Sequence, residues 1–342
     1  MLTKYGRVKF RRQGNGLLLS LVCVVTGSVV CRGQDVPRKV SNCQALPSSS
    51  STVQITSKVR GEFLKNGRKT LVQDLYLRSQ DGSQTRAFLI KPYKPVAKQG
   101  GAAFFVHLLG APPDNDRTEF FEDALELADS NVTSLLVEAP WADPEWFPSR
   151  KLEEDLPNVL KYVSELEGQF NFLLAESKAP PEKVALVGHD FGAMYGVLML
   201  KNQESIRQAV IMAAVPDFAD WFLLGQKLSN TEEKQYRQKV QAIAPSRYLR
   251  CAPKLDVLFQ FAETDRFVSR KQANDFIESA PAQKEVRWYT AGHELQEPSR
   301  KDRVAWLKQR IGSALPAGSL DAHPRALANR AEVARLTTLA TQ

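Results

Sequence analysis

The chain has few of the residues that most often carry metal or redox chemistry. Among 342 residues there are only four histidines and four cysteines. Cys23, Cys31, Cys43 and Cys251 show no zinc-ligand spacing. No glycine-rich phosphate loop and no internal repeat is present, which excludes a P-loop nucleotide site and a solenoid. No metal or organic cofactor is implied.

Acidic residues are missing from one place only. Residues 1–34 hold Lys4, Arg7, Lys9, Arg11, Arg12 and Arg32 and no Asp or Glu, so much of the net charge of +8 lies there. Setting those six aside leaves 40 basic against 38 acidic residues, a net of +2. A nearly neutral remainder gives no case for nucleic-acid binding. The basic start runs to Gly16 and an apolar stretch follows from Leu17 to Cys31. That stretch is shorter than the roughly 20 residues needed to cross a bilayer. It reads as a signal peptide over 1–34, with export to the periplasm or medium and no stable membrane insertion after cleavage. An uncleaved N-terminal anchor is the alternative. Without the leader only Cys43 and Cys251 remain, read as two isolated thiols. A Cys43–Cys251 pair is the alternative in an oxidising compartment.

With 43% apolar and 25% charged residues the rest is globular. Residues 35–56, which include Ser48 to Ser51, read as a linker. Residues 57–316 read as one domain and 317–342 as an Ala-rich tail. A hairpin is expected over 70–92, turning at Asp81-Gly82. Apolar runs at 102–107, 133–138, 183–187, 208–214, 255–261 and 285–289 read as buried parallel strands. Amphipathic stretches between them, at Thr118–Ala128, Leu152–Leu174 and Arg300–Ile311, imply helices on both faces of a parallel sheet. Residues 216–246 break the alternation and read as a small helical lid containing Trp221 and Tyr236.

One stretch carries chemistry. Val184 to Val187 stops at Gly188-His189-Asp190-Phe191-Gly192, and a small-residue helix begins at once. That is the form of a nucleophile elbow with Asp190 at its tip. An ordinary strand-to-helix turn, with Asp190 as N-cap, is the bland alternative. Two further pieces follow in order: Asp265 in Glu263-Thr264-Asp265-Arg266-Phe267-Val268, and His293 in Ala291-Gly292-His293-Glu294. His107 and His189 precede the acid and His323 lies in the tail, which leaves His293 as the general-base candidate. Asp217, just past another strand, rivals Asp265 as the acid or serves as a helix cap.

In this order the motifs resemble the α/β-hydrolase superfamily over about Leu71 to Gly312. The stretches Leu75–Gly82, Arg86–Pro92, Ala103–Gly110 and Ser134–Trp141 resemble the dienelactone-hydrolase-like branch. The resemblance implies an α/β-hydrolase fold, a small-molecule substrate and an Asp190–His293–Asp265 constellation. An elbow aspartate is ionised without help and can attack an sp3 carbon to give an alkyl ester, the logic of epoxide hydrolases and haloalkane dehalogenases. His293 would then activate water against that ester. The N–H groups of Phe191 and Leu108 are the expected oxyanion donors. His107, Trp141, Trp221 and Tyr236 are the candidate substrate contacts. Two departures stand out. Phe191 lacks the N–H of the tryptophan usual after such an aspartate. His107-Leu108-Leu109-Gly110 replaces the usual His-Gly-x-Pro. The alternatives are ester or lactone hydrolysis with Asp190 as a base on water, and a non-catalytic binding protein.

Overall fold

The computed structural model describes residues 45–46, 54–65, 68–79, 81–93, 100–110 and 116–313. The expected signal segment, Cys43 and the tail lie outside them. The expected linker ends early: a first strand, β1, occupies Gln54–Lys65. The sequence reading missed it because no clean alternation or apolar run marks it.

β1 pairs antiparallel with β2 (Arg68–Arg78), and β2 with β3 (Gln84–Pro92). The β2–β3 turn falls at Asp81-Gly82 as expected, with Gly82 at φ 86° and the Asp81 carboxylate accepting the Ser83 N–H at 2.9 Å. Beyond the hairpin, strands and helices alternate. In order come β4 (Gly101–Val106), α1 (Phe121–Ala128), β5 (Val132–Val137), α2 (Asp155–Ser177), β6 (Val184–His189), α3 (Phe191–Met199) and β7 (Gln208–Met212). Three short helices follow: α4 (Ala219–Phe222), α5 (Asn230–Val240) and α6 (Pro245–Arg250). The fold then closes with β8 (Asp256–Ala262), α7 (Arg270–Ser279), β9 (Lys284–Tyr289) and α8 (Ser299–Ile311).

The nine strands form one sheet in the order β1-β2-β3-β5-β4-β6-β7-β8-β9, parallel from β5 to β9. Successive side chains of a strand face opposite sides, and the central strands are apolar on both. In β4, Ala102, Phe104 and Val106 join one hydrophobic cluster, with α2, α3, α6 and α7. Ala103 and Phe105 join the other, with α1 and α8. Burial on both faces is why these strands read as continuous apolar runs.

This topology locates a site. The chain leaves β4 to one side, for β5, and later returns to β4's other side, for β6. Ligand crevices of open α/β sheets lie outside the carboxyl ends of the strands at such a switch point. The segments arriving there are His107–Gly110 after β4 and His189–Phe191 after β6. Two glycines allow the approach. A Cβ on Gly192 would sit 2.1 Å from the Val106 carbonyl oxygen, and one on Gly188 would sit 2.4 Å from the Ala193 Cα.

The α4–α6 segment lies between β7 and β8 and is tied down by side chains. Arg150 binds Asp155 through two hydrogen bonds of 2.7 and 3.0 Å and donates to the Phe222 carbonyl at 3.0 Å. The Tyr236 hydroxyl donates to Asp155. Ser229 and Glu232 form a capping box that starts α5.

Candidate active site

Asp190 stands between β6 and α3 with φ 56° and ψ −125°, a backbone state costing a non-glycine residue about 1–3 kcal/mol. Its N–H donates to the Met212 carbonyl at 2.9 Å, and its own carbonyl receives Ala193 and Met194 at 3.1 Å each. The turn is thus held by its neighbours, and the carboxylate is aimed by the turn. One oxygen, Oδ1, accepts the Phe191 N–H. The other, Oδ2, lies 3.1 Å from His293 Nε2. On the far side of the imidazole, Nδ1 lies 2.9 Å from Asp265 Oδ2 and 3.1 Å from Oδ1. Asp265 also accepts the N–H groups of Phe267 at 2.8 Å and Val268 at 3.0 Å. Asp190 and His293 are nearly inaccessible, at 5% and 6% exposure.

The electrostatics follow from these contacts. Burial pulls the His293 pKa down, but the hydrogen bonds and charges of Asp190 and Asp265 outweigh it and push it up to about 10. Burial pushes Asp190 above the usual carboxylate range, against the pull of His293. Burial also opposes ionisation of Asp265, yet His293 and the two backbone N–H groups hold its carboxyl below the usual range. The two carboxylates that flank the ring favour its protonated form.

Asp217, the rival acid, is elsewhere: its side chain accepts the Ala219 N–H at 2.9 Å, at the start of α4. Trp221 is beside the imidazole, with ring centroids 6.1 Å apart, and its indole N–H donates to the Phe267 carbonyl at 3.0 Å. Phe267, which the sequence reading passed over, sets its ring 5.0 Å from His293 and is 54% exposed. Its one signal in the sequence was its place two residues after Asp265.

Four expectations are corrected. The Leu108 N–H is not open to an oxyanion; it donates to Glu119 Oε2 at 2.8 Å. His107 is walled in, accepting the Ala139 N–H at 2.8 Å through Nε2 and donating to the Leu108 carbonyl at 2.8 Å through Nδ1. Burial lowers its pKa, consistent with this neutral form. Trp141 is a fully buried core residue whose indole N–H donates to the His107 carbonyl at 2.9 Å. Tyr236 spends its hydroxyl on Asp155, tying α5 to the start of α2. Cys251 is likewise no isolated thiol: it is disulfide-bonded. The Phe191 N–H is where the elbow puts it, already engaged by Asp190.

A second pair lies behind the elbow. His189 Nδ1 is 2.6 Å from Glu119 Oε1, and His189 Nε2 is 2.9 Å from the His293 carbonyl oxygen. Among the described residues no cluster of three or more His, Cys, Asp or Glu could hold a metal ion. Nor is any described helix long and apolar enough to cross a membrane.

No protein-family model matches the chain, and no curated protein matches it in sequence. Solved structures do match in shape. An acetyl xylan esterase from Paenibacillus sp. R4 aligns with a TM-score of 0.58 at 11% identity, over 76% of this chain and 89% of that one. Acetyl xylan esterase 1 from Thermoanaerobacterium sp. JW/SL YS485 gives 0.55 at 14%, over 76% and 89%. A cold-adapted esterase from an Arctic intertidal metagenomic library gives 0.52 at 14%, over 74% and 99%. At these identities the likeness is one of fold. The protein has the α/β-hydrolase fold: a mostly parallel sheet with helices on both faces and a small helical insertion after β7.

Proposed function

We propose that the protein is a hydrolase in which Asp190 forms an alkyl ester with a small-molecule substrate, and His293, held by Asp265, hydrolyses that ester. The observation that carries the reading is the division of the Asp190 carboxylate. Oδ1 rests on the Phe191 N–H while Oδ2 faces His293. Oδ2 attacks an sp3 carbon, the bond to the leaving group breaks, and the group departs with its electron pair. Esterification removes the Asp190 charge, one of the two that hold the proton on His293. The imidazole then sheds its proton to solvent and becomes the base. It takes a proton from water as the water attacks the ester carbon. Negative charge develops on Oδ1, where the Phe191 N–H already waits. Collapse releases the alcohol, which takes its proton from His293, and restores the carboxylate. The net change is substrate plus water to alcohol, proton and leaving anion.

Tyr236 is engaged by Asp155, and the Tyr248 hydroxyl donates to the Ala242 carbonyl at 3.2 Å. Neither is free to protonate an epoxide oxygen. The esterase names of the structures of like shape support the second reading, ester or lactone hydrolysis with Asp190 as a base on water. The dienelactone-hydrolase-like stretches around Leu75–Gly82 and Ala103–Gly110 point the same way.

The test is intact and peptide mass spectrometry of a His293→Gln variant exposed to haloalkanes, epoxides and aryl esters. Blocking the second step leaves Asp190 free to attack, so a mass gain on the Asp190 peptide is expected. No adduct, with esters turned over by the wild type, transfers the assignment to the second reading. No adduct and no wild-type turnover leaves either a substrate outside the panel or a binding protein. We also propose that the chain is exported, on the basic-then-apolar leader and on the Cys251 disulfide, since such bonds persist in oxidising compartments. A free Cys251 thiol in protein recovered from cells would overturn that part.

A further inference from the structure

Glu119 and His189 take no part in the steps above, yet both are built into the site. Glu119 lies just ahead of α1 with its side chain a tenth exposed, and His189 ends β6 fully buried. The His293 carbonyl oxygen only accepts, so His189 Nε2 carries a hydrogen. A single further proton then lies between His189 Nδ1 and Glu119 Oε1 across 2.6 Å. The second Glu119 oxygen holds the Leu108 N–H at 2.8 Å. One chain of hydrogen bonds therefore joins the loop after β4, the end of β6 and the loop after β9; β4 and β6 pair in the sheet as far as Val106 and Gly188, whereas β9 pairs with neither. Its bonds to charged groups are of the strong kind. The consequence for His293 is that it is gripped twice: its ring by Asp265, and its backbone, through His189, by Glu119.

We propose that Glu119 and His189 are positioning residues of this site. They set where the His293 ring stands against Asp190, and they keep the Leu108 N–H turned to Glu119. What this placement does for catalysis rests on the hydrolase reading; the placement itself does not. An angstrom of misplacement at a reacting group costs on the order of 100-fold in rate, which is what such a tie prevents.

Two variants separate reach from charge. Glu119→Ala removes both arms, whereas Glu119→Gln keeps an acceptor for one neighbour and offers an amide N–H to His189. The first readout is NMR of the His293 ring in the free protein, together with exchange of the proton between its Nδ1 and Asp265. In Glu119→Ala the ring signals move and that proton exchanges roughly tenfold faster. In Glu119→Gln both stay near wild type. Unchanged His293 signals in Glu119→Ala, or Gln behaving as Ala, overturn the proposal whether or not the protein turns anything over. His189→Asn severs the same chain one link on and is read in the same way if Glu119→Ala does not fold.

The second readout resolves the two chemical steps with any compound that loads Asp190. Glu119→Ala slows ester breakdown by roughly 10- to 100-fold and changes ester formation by less than about threefold. Equal losses in both steps, tracking a lower Tm, would make the pair merely structural and overturn the proposal. A wild type that forms no ester with any compound fails the alkyl-ester reading instead, and the NMR readout still decides the positioning.

Discussion

A carboxylate at the tip of the elbow changes the work left for the histidine. Beside a serine, a catalytic histidine must be neutral at the start of the reaction; beside Asp190 and Asp265 the ring holds its proton more tightly. His293 has a pKa of about 10 in the folded protein against an ordinary 6.5. Its protonation therefore adds stability that is complete below about pH 6.5 and is lost as pH rises through about 10. Asp190→Asn removes one of the two carboxylates responsible, so the His293 pKa falls and the alkaline loss of stability flattens. An NMR titration of the ring, with denaturant midpoints measured from pH 6 to 10, checks both. An unchanged His293 titration would show that Asp190 does not hold its proton. Asp190, Asp265 and His293 were all legible in the sequence because each follows an apolar strand in the expected order. The fate of the Leu108 N–H was not: its partner, Glu119, is 11 residues away in a stretch that reads as the start of an amphipathic helix.

At the level of elements, the site depends on how closely α3 meets β4 and β6. The helix begins with Phe191-Gly192-Ala193, and Gly192 lies against the Val106 and His107 carbonyl oxygens. Gly192→Ala would place a Cβ 2.1 Å from backbone, which no rotamer can relieve. We expect a loss of roughly 1–3 kcal/mol from the forced shift of α3, measured by denaturant unfolding. A stability within about 0.5 kcal/mol of wild type would mean that the packing is looser than described. The α4–α6 segment was legible as an interruption of the strand–helix alternation. Its fastening was not, because Arg150 and Asp155, Phe222, and Tyr236 come from three separate places in the chain.

Over the whole molecule, two apolar clusters sandwich the sheet, and one covalent bond adds to them at Cys251. A disulfide closing a long loop restricts the unfolded chain and typically contributes about 2–4 kcal/mol. Reduction is expected to lower the denaturation midpoint by a corresponding amount while the sheet still forms, read by circular dichroism with and without reductant. An unchanged midpoint would show that the bond contributes nothing to folding. The sequence reading favoured free thiols because cysteine positions carry no information on distance; only the folded chain shows that Cys251 has a partner.

The sequence by itself determined the order of the strands after β1, the elbow and the three residues of the Asp190–His293–Asp265 line. Each of those is written in local patterns: period, apolar runs, flanking glycines, and the residue that follows a strand. Tertiary structure alone decided which donors remain open at the elbow, which aromatic residues line the site and which are core, and that a Glu119–His189 pair braces it. Those outcomes depend on contacts between residues 11 to 104 positions apart. A hydrogen-bonding group shows its partner only when the chain has brought the two together.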